Sequence, residues 1–259
     1  PEAKTVAEFF ANKLKTSTGF NLAVSETEGN IVLNIDPALE MNAEGYKLVV
    51  TPAGIEINAK TEAGAFYGMQ TVLQLLPAEV ESKTVVKTDW TLPCVTIEDA
   101  PRFAYRGVHL DPCRHFQTVE EVKRQLDVMA MLKMNRMHWH LTEDQGWRLE
   151  IKKYPKLTEV GATRLEGEGT THEGFYTQEE AKEIVAYAAE PHLSCTGEKV
   201  TPRIIWGVED LVMCPGKGEM FPFLEDVVKE MVEIFPSEYF HIGGDECPKG
   251  SWKKCPDCQ

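Results

Sequence analysis

The sequence predicts an α/β fold in two domains, and three observations support this prediction. From about residue 100 onward, short apolar runs alternate with polar loops and helical segments, as in parallel strands joined by helical crossovers. Residues 1–97 instead combine a hairpin with two helices, which predicts a small α+β domain. A motif with two adjacent carboxylates, HIGGDE at residues 241–246, follows a strand-like run. We therefore expect an α+β domain over residues 1–97, and a barrel or open parallel sheet over residues 98–259.

The composition excludes several classes of partner. The chain has 259 residues, of which 42% are hydrophobic and 26% are charged, as in globular proteins with a substantial core. The net charge of -14, without a block of Lys or Arg, argues against nucleic acid and anionic membranes as partners. No apolar run approaches the roughly 18 residues that a membrane span needs, and no signal peptide is visible. A small neutral or cationic molecule, or a sugar, fits this composition better.

The first domain is predicted from hydrophobic spacing and turn residues. Apolar residues at helical spacing predict two helices, and the second ends before Pro77. Turn residues 51–54 predict a hairpin between the second and third strands. The predicted elements are a helix over 6–14, strands over 31–35, 46–50 and 55–57, and a helix over 61–76. None of these segments carries a catalytic pattern, so we interpret them as a packing domain.

The second domain is predicted from a repeated order of strand, loop and helix. Two capping boxes, Thr118 with Glu121 and Thr177 with Glu180, mark the starts of two helices. The predicted elements are strands over 106–111 and 136–141, helices over 118–132, 177–189 and 220–234, and a strand over 237–240 that leads into His241. Since parallel strands carry their chemistry at their carboxyl ends, the loops after them are the predicted site.

These loops contain unusual polar groups that suit a sugar-binding site. When two carboxyl groups lie close together, their pKa values move apart, so one stays protonated as an acid while the other stays charged. The ring of Trp147 is expected to stack on a sugar face, while carboxylates and an arginine bind its hydroxyls. The residues are Asp111, Arg114, Glu143, Asp144, Trp147, Asp245 and Glu246.

Other interpretations of the same residues remain open at this point. Asp245 and Glu246 also suit a surface pair that caps the next helix. Arg114 also suits a salt bridge between loops. His138 and His140 share one face of a strand and would suit two metal ligands, but no third ligand follows at convincing spacing. We therefore interpret these two histidines as core residues or as supports behind the site, and predict no metal and no cofactor.

Seven cysteines are many for a cytosolic protein. Cys195 and Cys214 flank a stretch that contains Gly and Pro, and they are a candidate disulfide that would imply an oxidising compartment. Cys255 and Cys258 form a lone CxxC motif, and Cys247 lies nearby. A structural zinc site needs four ligands, so three thiols without a partner pair do not predict one. A cysteine-based metal or redox module is therefore only a third functional hypothesis.

Three of these stretches together resemble glycoside hydrolase family 20. Residues 105–116 are similar to the opening of that family's barrel, residues 135–148, with HWHLTEDQGWR, to its second strand and loop, and residues 241–246 to its HxGGDE motif. Residues 60–77 resemble the end of the small domain that precedes the barrel. The resemblance covers most of the chain, and the three motifs in this order are highly specific. It implies a β-N-acetylhexosaminidase on a (β/α)8 TIM-type barrel.

The resemblance also implies roles for individual residues. Glu246 would be the general acid and base, and Asp245 would orient the acetamido group of the substrate. The acetamido oxygen would attack the anomeric carbon and form an oxazolinium ring, so that configuration is retained without a protein nucleophile. Arg114 would bind sugar hydroxyls deep in the pocket. A barrel glycosidase with a protein nucleophile is disfavoured, because Asp245 and Glu246 are adjacent and suit two groups on one side of the sugar.

Four further residues are expected around these groups. Glu143 stands where the family usually has Asp, and Asp144 follows it. We expect both in substrate binding, with one of them supporting an Asp-His network behind the acid. His140 and His241 are expected to support the substrate-binding residues from behind. The expected partners are glycans that contain N-acetylhexosamine, and the family's substrates together with the cysteines suggest secretion or the periplasm.

Two departures from the family pattern lead to further expectations. Glu190 runs straight into Pro191, so we expect the family's third strand and its histidine to be absent. The sequence ends at Gln259, just after the predicted fourth strand, so we expect an incomplete barrel. The isolated chain is therefore expected to be poorly active. The alternative function is an inactive fragment or a non-catalytic glycan-binding protein of the same fold.

Overall fold

The computed structural model describes residues 3–27, 29–191, 212–243 and 247–259, together with the backbone of Ser194–Gly197. These residues form two compact units. The first consists chiefly of residues up to Arg106 together with Ala130–Lys133. The second contains Gly107–Met129, Met134–Ala189 and most of the described residues that follow. In the described parts of the chain, every helix is too short or too polar to cross a bilayer.

The first unit is a four-stranded sheet with helices. Its elements are α1 (Lys4–Thr18), β1 (Ile31–Ile35), β2 (Tyr46–Thr51), β3 (Gly54–Ala59), α2 (Glu62–Leu75) and β4 (Val95–Asp99). The strand order is β1-β3-β2-β4, with β1 parallel to β3 and the other pairs antiparallel. Phe10 and Phe66, from the two helices, are buried in one core with Leu48 and Ile57 from the sheet. The predicted helices and hairpin are confirmed, and β4 is an additional strand.

The second unit is built on three parallel strands with helical connections. Its elements are β5 (Gly107–Leu110), α3 (Val119–Met131), β6 (Arg136–Trp139), β7 (Thr142–Glu143), β8 (Gly146–Trp147), α4 (Lys156–Glu159), β9 (Thr163–Leu165), β10 (Thr171–Glu173), α5 (Gln178–Ala189), β11 (Ser194–Gly197) and α6 (Met220–Ile234). The parallel strands have the order β11-β6-β5. Helices α3, α5 and α6 bury Leu126, Ile184 and Met231 in one core with Trp139 of β6. This alternation of strands and helices is the predicted α/β pattern.

Both predicted capping boxes form. The backbone N–H of Thr118 donates to the Glu121 carboxylate at 2.8 Å, and the N–H of Glu121 donates back to the Thr118 hydroxyl at 3.4 Å. The corresponding distances at Thr177 and Glu180 are 2.8 Å and 3.1 Å. Each box satisfies backbone donors that the first helical turn leaves unpaired, so it fixes where α3 and α5 begin.

Two predictions about strands are wrong. The expected loss of the third strand does not occur, because Pro191 cannot extend α5 and the chain continues into β11, parallel to β6. The strand predicted over 237–240 does not form, since no strand is assigned to residues 235–243. Within that segment the Ser237 hydroxyl donates to the carbonyl of Tyr239 at 2.9 Å, which favours a local bend.

Cys214 lies beside the CxxC motif. Its sulfur lies 3.4 Å from that of Cys255 and 3.3 Å from that of Cys258. The side chain of Cys195 lies outside the described residues, so the candidate disulfide of Cys195 with Cys214 stays a prediction.

Candidate active site

The carboxyl ends of β5 and β6 lie side by side. Leu110 and Trp139 are paired at the ends of these parallel strands, so the next residues, Asp111 and His140, leave the sheet at one edge. The N–H of His140 donates to the carbonyl of Leu110 at 2.8 Å. The Cys113 thiol donates to the carbonyl of His140 at 2.9 Å, and burial raises the pKa of this thiol, which keeps it protonated. These contacts hold the loop after β5 against the loop after β6.

Arg114 is oriented by groups from both loops. One oxygen of the Asp111 carboxylate accepts the N–H groups of Cys113 and Arg114, and the other accepts from the Arg114 guanidinium at 2.8 Å. The Arg114 Nε donates to the Gln145 side chain at 2.8 Å, and one terminal nitrogen lies 3.6 Å from the Glu143 carboxylate. Burial opposes the charge of Arg114, but the hydrogen bond and charge of Asp111 raise its pKa. Its side chain stays 26% exposed, so it is only partly enclosed by these partners.

Glu143 begins a line of hydrogen bonds through two histidines. Its carboxylate lies 3.1 Å from His140 Nε2, and His140 Nδ1 lies 3.0 Å from His109 Nε2. The His140 hydrogen bond, with the N–H of Asp144 and the charge of Arg114, holds the pKa of the Glu143 carboxyl below its ordinary value against the effect of burial. An ionised carboxylate only accepts hydrogen bonds, so His140 donates from Nε2 and accepts at Nδ1 from His109 when both rings are neutral.

Four histidine rings form a continuous row. The centroid distances are 5.1 Å from His140 to His109, 4.5 Å from His109 to His138 and 5.5 Å from His138 to His241. The row begins beside Glu143 and ends at the first residue of the HIGGDE motif. His140 and His241, expected around one site, thus lie at the two ends of one row.

The two predicted catalytic carboxylates, Asp245 and Glu246, lie outside the described residues, as does Gly244. The described part of the motif is exposed at His241, and the N–H of Gly243 donates to His241 Nδ1 at 3.1 Å. The roles of Asp245 and Glu246 therefore stay predictions. The structure does place the start of their motif against His138, within the histidine row.

Trp147 does not occupy the position expected of a sugar-stacking ring. Its side chain is 1% exposed and belongs to the core of the second unit. Its indole N–H donates to the carbonyl of Leu149. The ring turns inward because the short hairpin of β7 and β8 reverses the chain immediately before it. A ring without an exposed face has no surface on which a sugar can stack.

Arg148, next in the chain, holds the loops together and was not expected in the site. It is 0% exposed, and its guanidinium donates to four backbone carbonyls, of Pro112, Cys113, Ala162 and Gly174, at 2.6 to 3.0 Å. Burial lowers its pKa, and the four carbonyls supply the hydrogen bonds that a buried cation requires. A lone arginine in the largely apolar stretch 147–151 was the signal that could have identified it.

Arg164 supports the same loop from β9. Its guanidinium donates to the carbonyls of Cys113 at 3.2 Å, Gln145 at 3.1 Å and Arg114 at 2.6 Å. The Glu166 carboxylate accepts a further hydrogen bond from this guanidinium at 2.6 Å and pairs with its positive charge. Arg164 thus fixes the backbone of Arg114 and of Gln145, the two residues joined through their side chains in the site.

Comparison with known proteins agrees with this arrangement. The sequence model of the family described as "Glycosyl hydrolase family 20, catalytic domain" matches residues 103–202 and 190–259 of this chain. The family model of its domain 2 matches residues 1–100. A beta-hexosaminidase of Porphyromonas gingivalis is 50% identical over 284 residues, which cover 100% of this chain and 37% of the relative. A beta-hexosaminidase of Akkermansia muciniphila is 38% identical over 251 residues, which cover 86% of this chain and 49% of the relative.

Solved structures show the same similarity. A mutant Streptomyces plicatus beta-hexosaminidase in complex with product (GlcNAc) matches with a TM-score of 0.88 and 36% identity, over 98% of this chain and 55% of that one. A beta-N-acetylhexosaminidase of Bacteroides fragilis matches with a TM-score of 0.81 and 36% identity, over 98% and 52%. The chain thus spans about two fifths to just over half of these relatives. The predicted fold class, an incomplete (β/α)8 barrel preceded by a small α+β domain, is confirmed.

The first prediction concerns Arg148. We expect Arg148→Lys to lower the free energy of unfolding by about 2 to 4 kcal/mol, because one ammonium group cannot satisfy four separated carbonyls. Chemical denaturation measures this loss. Arg124→Lys is the matched control, since its side chain is 68% exposed on α3 and should change stability by less than about 0.5 kcal/mol. If Arg148→Lys and Arg124→Lys had the same free energy of unfolding, the proposed role of Arg148 in holding the loops together would be contradicted.

The second prediction concerns the charge of Glu143. Because folding lowers its pKa, the ionised form stabilises the fold above the ordinary value of 4.5, and this contribution is lost as the pH falls through the lowered pKa. The difference in unfolding free energy between wild type and Glu143→Gln should therefore shrink as the pH is lowered from 7. Denaturation at a series of pH values measures it, with Glu120→Gln, 81% exposed, as the control. If the difference in unfolding free energy between wild type and Glu143→Gln did not change with pH, the ionised state of Glu143 would not contribute to stability, which would contradict this account.

Proposed function

Since the chain belongs to glycosyl hydrolase family 20, we propose that it carries part of the active site of an enzyme that removes terminal, non-reducing β-linked N-acetylhexosamine from glycans. The observation that supports this proposal best is the Arg114 guanidinium. Asp111 and Gln145 hold it, Glu143 lies beside it, and it remains partly open to solvent at the carboxyl ends of parallel strands. This is where barrel enzymes bind their substrates.

Arg114 binds the sugar hydroxyls in this proposal. A guanidinium has five N–H donors, and the hydrogen bonds to Asp111 and Gln145 use two of them. The terminal nitrogen near Glu143 keeps donors for a ligand, because 3.6 Å is too long for a hydrogen bond. Neighbouring hydroxyls on a pyranose present oxygens at the spacing of such a fork, and Glu143 accepts from a hydroxyl beside it.

The chemical step uses the two carboxylates of the HIGGDE motif. Glu246 donates a proton to the glycosidic oxygen while the acetamido oxygen of the substrate bonds to the anomeric carbon and the glycosidic bond breaks. Asp245 accepts a hydrogen bond from the acetamido N–H and stabilises the positive charge of the oxazolinium ring. Ionised Glu246 then takes a proton from water, and the water oxygen opens the ring at the anomeric carbon. Two displacements at this carbon retain its configuration.

The histidine row acts as a positioning element behind this chemistry. Glu143 accepts from His140, which in turn accepts from His109, so each ring has a defined tautomer and orientation. The neighbouring rings of His138 and His241 extend the row to the residue four positions before Asp245. In this proposal Glu143 is the carboxylate that supports the network behind the acid, and Asp144 adds its backbone N–H to the Glu143 carboxylate.

We propose that the protein works outside the cytoplasm, in the periplasm or after secretion, where glycans of this kind are accessible. The names of the relatives support the class of substrate. They include beta-hexosaminidases of bacteria and chitooligosaccharidolytic beta-N-acetylglucosaminidases of the insects Bombyx mori and Ostrinia furnacalis.

The third prediction tests the acetamido group and the acid together. The protein expressed from its complete native gene should hydrolyse a chromogenic β-N-acetylglucosaminide and leave the matching β-glucoside, which lacks only the acetamido group, intact. Glu246→Gln should lower turnover by about 100- to 10,000-fold, because the leaving oxygen is no longer protonated.

Two results would contradict the proposal. Equal hydrolysis of both sugars by the wild type would show that the acetamido group takes no part in the reaction. Wild-type affinity for the N-acetyl sugar without turnover, unchanged in Glu246→Gln, would instead identify a glycan-binding protein.

A further inference from the structure

Three cysteine thiols of the second unit converge at one point. The sulfurs of Cys214, Cys255 and Cys258 all lie within 4.8 Å of one another. The Cys214 sulfur is almost equally distant from the other two, at 3.4 Å and 3.3 Å. All three residues are partly exposed, so an ion can reach them from solvent. The sequence alone did not join Cys214 to the CxxC motif, because 40 residues separate Cys214 from Cys255.

Two similar turns hold these sulfurs. In each turn a cysteine is followed by proline, and the N–H of the fourth residue donates to the cysteine carbonyl. Lys217 donates to Cys214 at 3.2 Å, and Cys258 donates to Cys255 at 3.2 Å. The N–H groups of Gly216 and Lys217 also hydrogen-bond to the Cys214 sulfur. The turns therefore present sulfur atoms rather than bury them.

Packing between the two turns fixes their separation. A Cβ atom on Gly216 would lie 1.8 Å from the carbonyl oxygen of Asp257, so only glycine allows the backbones to approach this closely. The Trp252 indole N–H donates to the carbonyl of Met213 at 2.9 Å, immediately before the first turn. The convergence of the thiols is thus supported by two contacts that involve no sulfur.

We propose that Cys214, Cys255 and Cys258 bind one zinc ion as thiolates. Tetrahedral zinc with Zn–S bonds of about 2.3 Å places its sulfurs about 3.8 Å apart. The Cys214 sulfur lies 3.4 Å and 3.3 Å from the other two, and all three sulfurs lie within 4.8 Å of one another, so small movements of the side chains fit them around one ion. A disulfide would join two sulfurs at about 2.05 Å and exclude the third, whereas Cys214 lies equally near to both partners. Soft thiolates select zinc over magnesium or calcium. Binding releases three protons, one from each thiol, and water completes the coordination.

The zinc ion would tie together two segments that are distant in the chain. Cys214 precedes α6, whereas Cys255 and Cys258 lie in the segment 247–259, which directly follows Glu246. Because an ion that binds only the folded chain adds its binding free energy to folding, it would hold that segment in place. The three thiols and the turns that hold them support this site, so it does not depend on the proposed glycosidase activity.

The fourth prediction is that the purified protein binds one zinc ion. After removal of metal with a chelator under reducing conditions, cobalt should bind at one ion per chain and give a thiolate-to-cobalt absorption band, which zinc then abolishes. Cys214→Ser and Cys258→Ser should each weaken cobalt binding by more than about tenfold. Cys94→Ser is the matched control, since Cys94 is exposed in the first unit and should leave binding unchanged.

A second measurement uses only the wild-type protein, in case a variant fails to fold. A chelator should lower its melting temperature, and added zinc should restore it. Two results would overturn the proposal. The first is a disulfide from Cys214 to Cys255 or Cys258 in the native protein, with no cobalt binding after reduction. The second is cobalt binding that Cys94→Ser weakens as much as Cys214→Ser does.

Discussion

The candidate site depends on one buried cation. Arg148 has no solvent-exposed surface, and its guanidinium can remain charged there only because four backbone carbonyls accept its hydrogen bonds. Two of these carbonyls, of Pro112 and Cys113, belong to the loop that carries Arg114. The other two come from the segments beside β9 and β10, so the loop cannot move without leaving a buried charge unsatisfied. Rigid backbone of this kind is what a site needs to hold a sugar in one orientation.

A second constraint on the site comes from the negative charge of the Glu143 carboxylate. The lowered pKa of the Glu143 carboxyl keeps it ionised, and an ionised carboxylate beside His140 determines which ring nitrogens carry protons in both His140 and His109. The histidine row then extends through His138 to His241. The backbone that Arg148 fixes and the ring protons that Glu143 fixes thus both lie at the carboxyl ends of β5 and β6. The zinc site proposed at the cysteines would add a third constraint, on the segment that follows the HIGGDE motif.

The sequence predicted what local rules determine. The capping boxes at Thr118 and Thr177 formed because their hydrogen bonds involve only residues three apart. Long-range packing decided the rest. Trp147 looked available for a sugar, but the core of the second unit encloses it, and Cys214 joined a CxxC turn more than forty residues away. Strand β11 formed although the sequence suggested a gap, because pairing with β6 stabilises a segment that has little strand character of its own.

The most direct test of the central claim is the affinity for N-acetylglucosamine, measured by calorimetry on wild type and on Arg114→Met. If Arg148 and its neighbours hold Arg114 in place to bind sugar hydroxyls, the variant should bind at least about tenfold more weakly, a loss of about 1.4 kcal/mol. Its unfolding should stay cooperative, since the contacts of Arg148 remain. Equal affinity in a folded variant would show that Arg114 only joins the loops, and would contradict the account.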